Sequence, residues 1–301
     1  MVHRLLCFVS LFMLFLLSAL PAGAALSVVT TTPDLAAVAA AVGGARVKVQ
    51  ALASPAQDPH AVDARPNLVL TLSRADLLIA VGADLEVGWL PTLQLGSRNG
   101  NVQLGSKGFL DCSTLVDLLE RPTGPVDRSM GDVHRAGNPH YMLDPRAAER
   151  VAVGIGKRLS ELDPAGRQLY WDNTNDFVTR LRDARKRWEH KLTALRGREV
   201  VAFHRSLLYL TSFAGLVILD YVEPKPGIPP NPRHVASLIE HARQHRVRMV
   251  VQEQWYPTKT SELIAQRIGA RFVKLPGSTN FPAGQSYVAF MDAIVNQLLG
   301  A

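Results

Sequence analysis

The stretch RQLYWDNTNDFVTRLRDARKRWEHKLTAL, residues 167–195, contains neither glycine nor proline. Asp163-Pro164-Ala165-Gly166 breaks the chain just before it. Trp171, Phe177, Leu181, Trp188, Leu192 and Leu195 recur at near-helical steps. One helix of that length would reach about 40 Å, long enough to act as a strut between two lobes. The plainer alternative is an edge helix of one domain. Its basic run, residues 180–191, is interleaved with Asp183, Glu189 and apolar residues, which suits a solvated helix face rather than a nucleic-acid patch.

Upstream, β-rich and helix-spaced segments alternate. Leu26-Ser27-Val28-Val29-Thr30-Thr31 reads as a strand, and Pro33-Asp34 opens a helix that ends at Gly43-Gly44. Residues 47–52 form a second strand, Pro66-Asn67 opens a short helix, and residues 75–81 form a third strand. Residues 145–162 carry helical spacing. Downstream, strands are expected at residues 199–203, 217–222, 247–251 and 271–275. Helices are expected at 207–213, 232–245, 257–268 and 286–299. Strands separated by helices of this kind imply parallel sheets. The expected fold is α/β: two lobes, each a mainly parallel sheet flanked by helices, joined by one long backbone helix. The boundaries are residues 1–24 for a signal peptide, 25–165 for the N-terminal lobe, 166–196 for the linking helix and 197–301 for the C-terminal lobe.

The signal peptide is read from His3-Arg4, an apolar run over residues 5–20, and the small residues Pro21-Ala22-Gly23-Ala24-Ala25. Cleavage is expected near Ala24, with the mature chain in the periplasm. Cys7 sits inside the apolar run, not at its end, which argues against a lipid-anchored cysteine. Removal of this segment leaves Cys112 as the one cysteine, so no internal disulfide can form. The remaining ~277 residues can support a core without one. The balance of 33 Lys and Arg against 26 Asp and Glu is basic but scattered, and no nucleic-acid partner is expected.

Ligands of open parallel sheets bind beyond the carboxyl ends of the strands. His204 directly follows a strand, Glu253 follows residues 247–251, and His60 lies in the loop after residues 47–52. His140, in Asn138-Pro139-His140, precedes the helix opened by Asp144-Pro145. Three imidazoles and one carboxylate would complete a tetrahedral site drawn from both lobes. Each residue also has a plain structural alternative. His60 could be an exposed loop residue, His140 could pack under Tyr141, His204 could cap a helix at Arg205-Ser206, and Glu253 could pair with Arg248. His134 is read as a solvated loop residue, and His190, His234, His241 and His245 as surface residues of helices.

With these residues in place, the chain resembles the zinc- and manganese-specific periplasmic binding proteins of bacterial ABC importers. The likeness rests on Val28-Val29-Thr30-Thr31-Thr32-Pro33-Asp34-Leu35, Asp58-Pro59-His60, Arg74-Ala75-Asp76-Leu77-Leu78, and Asn138-Pro139-His140-Tyr141-Met142-Leu143-Asp144-Pro145. It continues in Leu159-Ser160-Glu161-Leu162-Asp163-Pro164 and Val201-Ala202-Phe203-His204. The resemblance implies a monomeric receptor that holds metal in the interlobe cleft and delivers it to a permease in the inner membrane. A periplasmic metal chaperone is a further candidate partner. This family commonly takes a last ligand from an aspartate after the final strand, where this chain reads Lys274-Leu275-Pro276-Gly277-Ser278. Glu253 is the expected substitute, a water molecule the alternative. Three imidazoles and at most one carboxylate suit Zn2+ as the cargo, and manganese prefers more oxygen donors. The rival readings are a manganese receptor, an exported zinc-dependent hydrolase with Glu253 as general base, and an adhesin-like protein with a structural metal.

Overall fold

The computed structural model describes residues 25–124, 130–131 and 133–300. The signal-peptide reading therefore lies outside the described residues. In chain order the strands are β1 (Leu26–Thr30), β2 (Val47–Ala51), β3 (Leu77–Ala80), β4 (Phe109–Asp111), β5 (Glu199–Ala202), β6 (Val217–Tyr221), β7 (Met249–Glu253) and β8 (Arg271–Leu275). The helices are α1 (Pro33–Gly43), α2 (Pro66–Ser73), α3 (Leu90–Ser97), α4 (Pro145–Leu162), α5 (Arg167–Leu192), α6 (Leu208–Ala214), α7 (Pro232–Gln244), α8 (Lys259–Ile268) and α9 (Tyr287–Leu299).

Two four-stranded parallel sheets result, ordered β2-β1-β3-β4 and β6-β5-β7-β8. The second lobe repeats the topology of the first, as the alternation of segments implies. In both, the chain leaves the first strand for one edge and returns past it to the other. The switch points therefore lie at the carboxyl ends of β1 and β3 and of β5 and β7. The first sheet has one strand more than the sequence pattern shows. β4 is only Phe-Leu-Asp, too short to display an alternation, and α3, which contains Pro91 and Gly96, carries little helical signal of its own.

Helix starts follow local chemistry. Asp144 caps α4 by accepting the Arg146 N–H at 2.8 Å, with Pro145 in the first turn. Asn231 caps α7 through the His234 N–H at 3.0 Å, and Ser286 caps α9 through the Ala289 N–H at 3.2 Å. α5 is the expected long helix, tightening into a 3-10 turn over Thr193–Leu195. Its buried stripe differs from the expected one at a single place. Tyr170 and Thr174 face inward, and Trp171 is 60% exposed.

α5 is not a free-standing strut. It packs on α1 and α4 from the first lobe and on α6 and α9 from the second. Phe177, Leu181, Trp188 and Leu192 belong to one apolar cluster holding Val28, Leu35 and Ile155 together with Val200, Met249 and Phe290. Hydrogen bonds also cross between the lobes behind the cleft. The Thr279 N–H donates to Asp34 Oδ1 at 2.7 Å, and the Tyr287 hydroxyl to the Met142 carbonyl at 2.7 Å. Among the described residues, no helix is long and apolar enough to cross a membrane.

Candidate metal centre

Each of the three expected histidines is held by specific hydrogen bonds, local ones for His60 and His140 and a longer-range one for His204. Asp58 Oδ1 accepts the His60 backbone N–H at 3.0 Å and lies 2.7 Å from His60 Nδ1. The Trp89 indole N–H pins the same loop by donating to the Pro59 carbonyl at 2.9 Å. Asn138 Oδ1 accepts the His140 backbone N–H at 3.0 Å, and the Tyr141 hydroxyl anchors the following turn to the Val81 carbonyl at 2.6 Å. His204 follows β5, and its Nδ1 lies 2.6 Å from Glu223 Oε2, which also accepts the Gly227 N–H at 3.1 Å.

At His60 and His204 these bonds fix which ring nitrogen is available. A carboxylate at Nδ1 holds the proton there and leaves the Nε2 lone pair for a metal. Nε2 of His60 and of His140 is buried and unpartnered. Among the described residues, one group of three or more metal-ligating side chains converges, and it is His60, His140 and His204, whose ligand atoms lie within 4.8 Å of one another. Their ring centres are 4.9 Å (His60–His140), 5.5 Å (His60–His204) and 5.7 Å (His140–His204) apart. Zinc with bonds of 2.0–2.1 Å would hold tetrahedral nitrogens about 3.4 Å apart, so a small inward closure suffices.

Glu253 stands apart from that group. It is buried at the end of β7, where Oε1 accepts the Ser206 hydroxyl and Oε2 has no partner. It lines a small interlobe cavity with His140, Ser206, Trp255 and Ser278. Ser206, and not Arg248, is its hydrogen-bond partner. Burial raises the Glu253 carboxyl to about 7, opposed by the Ser206 bond and the nearby His204.

A fourth imidazole lies against this group. His134 was expected to be solvated, but its ring stacks on His60 with centres 5.4 Å apart and lies 6.3 Å from His140. Its Nε2 is buried and unpartnered. Two residues that matter here carried no local signal. His134 shows only its closeness to His140 in sequence, and Glu223 sits in a Pro-rich segment that reads as a stiff connection.

The electrostatics favour neutral rings at His140 and His134. Burial, then the surrounding imidazoles, hold His140 well below the usual histidine range. Burial and His60 lower His134 to about 4. Burial also pushes His204 down, but the Glu223 bond and charge outweigh it, so the net direction is up. Asp58 is raised by burial and lowered more by its contacts with His60, for a net shift downward.

Glu86 braces the floor of the first lobe. Its Oε1 accepts the Thr31 hydroxyl at 2.6 Å and the Val81 N–H at 2.8 Å, and its Oε2 accepts the Gly82 N–H at 3.0 Å. Burial nevertheless raises its pKa from 4.5 to about 7, with these bonds lowering it. A raised carboxyl pKa contributes stability that is complete below the unfolded value and is lost as pH rises through about 7. The Glu86→Gln variant, neutral at every pH, should remove that slope. Calorimetry of the metal-free protein at pH 5 and pH 8 should show the melting difference moving in favour of the variant at the higher pH. A difference that stays constant would contradict this account of Glu86.

The same architecture occurs in known proteins. The chain is 24% identical over 292 residues to the high-affinity zinc uptake system protein ZnuA of Yersinia pestis, covering 91% of this chain and 90% of that one. It is 22% identical over 249 residues to the manganese ABC transporter substrate-binding lipoprotein PsaA of Streptococcus anginosus, covering 81% and 77%. Among solved structures, a ZnuA deletion mutant with zinc bound superposes with a TM-score of 0.77 at 27% identity, covering 92% of this chain and 98% of that one. The family model for the periplasmic component A of the zinc-uptake complex matches residues 28–301, and the chain belongs to this family of substrate-binding receptors of metal importers.

Proposed function

We propose that this chain captures one zinc ion in the interlobe cleft, outside the inner membrane, and delivers it to the permease of an ABC importer. The observation that carries the reading is the convergence of His60, His140 and His204 from separate loops of both lobes. His60 and His204 each have a carboxylate at Nδ1, the arrangement that orients a metal-ligating imidazole. Three nitrogens favour zinc over manganese, which is better served by oxygen donors. Members of this family are transport receptors and not enzymes, and zinc here is cargo.

Glu253 keeps the fourth position in this proposal, because its Oε2 has no partner and the residue lines a cavity that His140 also lines. His134 competes for the same role, with an unpartnered Nε2 and its ring stacked on His60.

Calorimetric titration of the chain from residue 25 onward tests both points. One tight zinc per chain is expected, with manganese failing to displace it at roughly 100-fold excess. Equal affinity for the two ions would sink the zinc assignment. Glu253→Gln and His134→Ala then divide the fourth position. The true ligand costs at least about 10-fold in zinc affinity, and the other leaves it near wild type.

A further inference from the structure

Away from the cleft, α7 and the residue that caps it carry a second histidine pair. His241 and His245 stand one helical turn apart, with ring centres 4.9 Å apart and planes at 85°. Each meets a carboxylate from the sheet beneath. His241 Nδ1 lies 3.3 Å from Asp220 Oδ2 on β6, and His245 Nδ1 lies 3.0 Å from Glu199 Oε2 on β5. This is the arrangement that holds His60 on Asp58 and His204 on Glu223. In each case the carboxylate claims Nδ1 and leaves Nε2 as the free donor.

The spacing of the rings is also suited to a shared ion. Two imidazoles bound to one tetrahedral zinc through bonds of 2.0–2.1 Å have their ring centres about 5 Å apart. His241 and His245 already stand at that separation, as His60 and His140 do. Both side chains are partly open, at 41% and 42%, so water can complete the coordination. The pair is separate from the cleft. Glu199 begins β5, and His204 follows the opposite end of the same strand.

We propose that His241 and His245 form a second metal site for a late first-row divalent ion such as zinc, with Asp220 and Glu199 orienting the two rings. With two protein nitrogens against three or more in the cleft, it binds more weakly and exchanges faster. Imidazole ligation selects zinc, nickel or copper over manganese and magnesium.

Zinc chloride titration tests the site without reference to the cleft reading. Wild type and the His241→Ala/His245→Ala variant are each titrated past the first equivalent. Wild type should take up a second, weaker zinc that the double variant lacks, and Asp220→Asn/Glu199→Gln should weaken it about 10-fold or more. With the cleft first filled by one equivalent of zinc, copper added as the second equivalent should show additional nitrogen hyperfine structure in its paramagnetic resonance spectrum, absent from the double variant treated in the same way. The proposal fails if wild type takes up no second zinc, or if the double variant takes it up equally. The first equivalent is read in the same titration. Its absence would count against the cleft site alone, since the weaker equivalent lost in the double variant would remain visible.

Discussion

His140→Ala should cut zinc affinity by more than the roughly 10- to 100-fold expected from disturbing a group behind a ligand. His60→Ala and His204→Ala should do the same, because each removes one of three converging donors. The contrast between folding and binding makes His140 the sharpest case. Its Nε2 is buried with no partner, and burial of an unpartnered polar atom is a cost that the metal-free protein carries. Its loss should therefore change the metal-free melting temperature little, while the zinc-induced rise in melting temperature collapses. Asp58→Ala and Glu223→Ala should fall in the smaller range, since they orient His60 and His204 without donating to the ion. Thermal melts with and without zinc, paired with titration calorimetry, read both effects. Wild-type zinc binding in all three histidine variants would leave the proposed centre without support.

Trp188→Ala should lower stability by about 3–5 kcal/mol, the usual cost of emptying a large aromatic site in a core. For a chain of this size the melting temperature should fall by on the order of 10 °C. Trp188 is 1% exposed and lies in the apolar cluster that both lobes share. Its indole N–H donates to Asp292 Oδ1 on α9 at 2.7 Å, so the substitution also strips a partner from that carboxylate. Trp171→Ala on the same helix should stay within about 0.5 kcal/mol, because that ring is 60% exposed. Scanning calorimetry of the two variants compares like with like. Equal costs at both positions would contradict the shared core and restore the picture of α5 as a detached strut.

The two tryptophans also mark how far periodicity carries. A 3.6-residue repeat identifies α5 as a helix, but Trp171 and Tyr170 are adjacent, and either could begin the buried stripe. The neighbours decide it. Tyr170 hydrogen-bonds Asp163 through its hydroxyl at 2.7 Å, and Arg46 pairs with the same carboxylate. The inward direction of Tyr170 follows from that contact across the first lobe.

The centre divides in the same way. His60, His140 and His204 are legible because each sits at a strand end or in a Pro-bearing loop, places where a parallel sheet presents ligands. Their local supports, Asp58 and Asn138, lie two residues away and can be read with them. Glu223 lies 19 residues from His204, and Ser206 lies 47 from Glu253. No local pattern links such pairs.

Local chemistry along the chain settled the alternation of strands and helices, the uninterrupted α5, and the placing of three imidazoles at a strand end or in loops, because backbone hydrogen bonds and steric preferences act over a few residues. Tertiary packing alone decided that His134 covers His60, that Glu253 lines a cavity with His140, and that α5 is a shared core element. Those outcomes depend on which surfaces the two sheets press together, and that is a property of the assembled lobes, with no counterpart in any short segment.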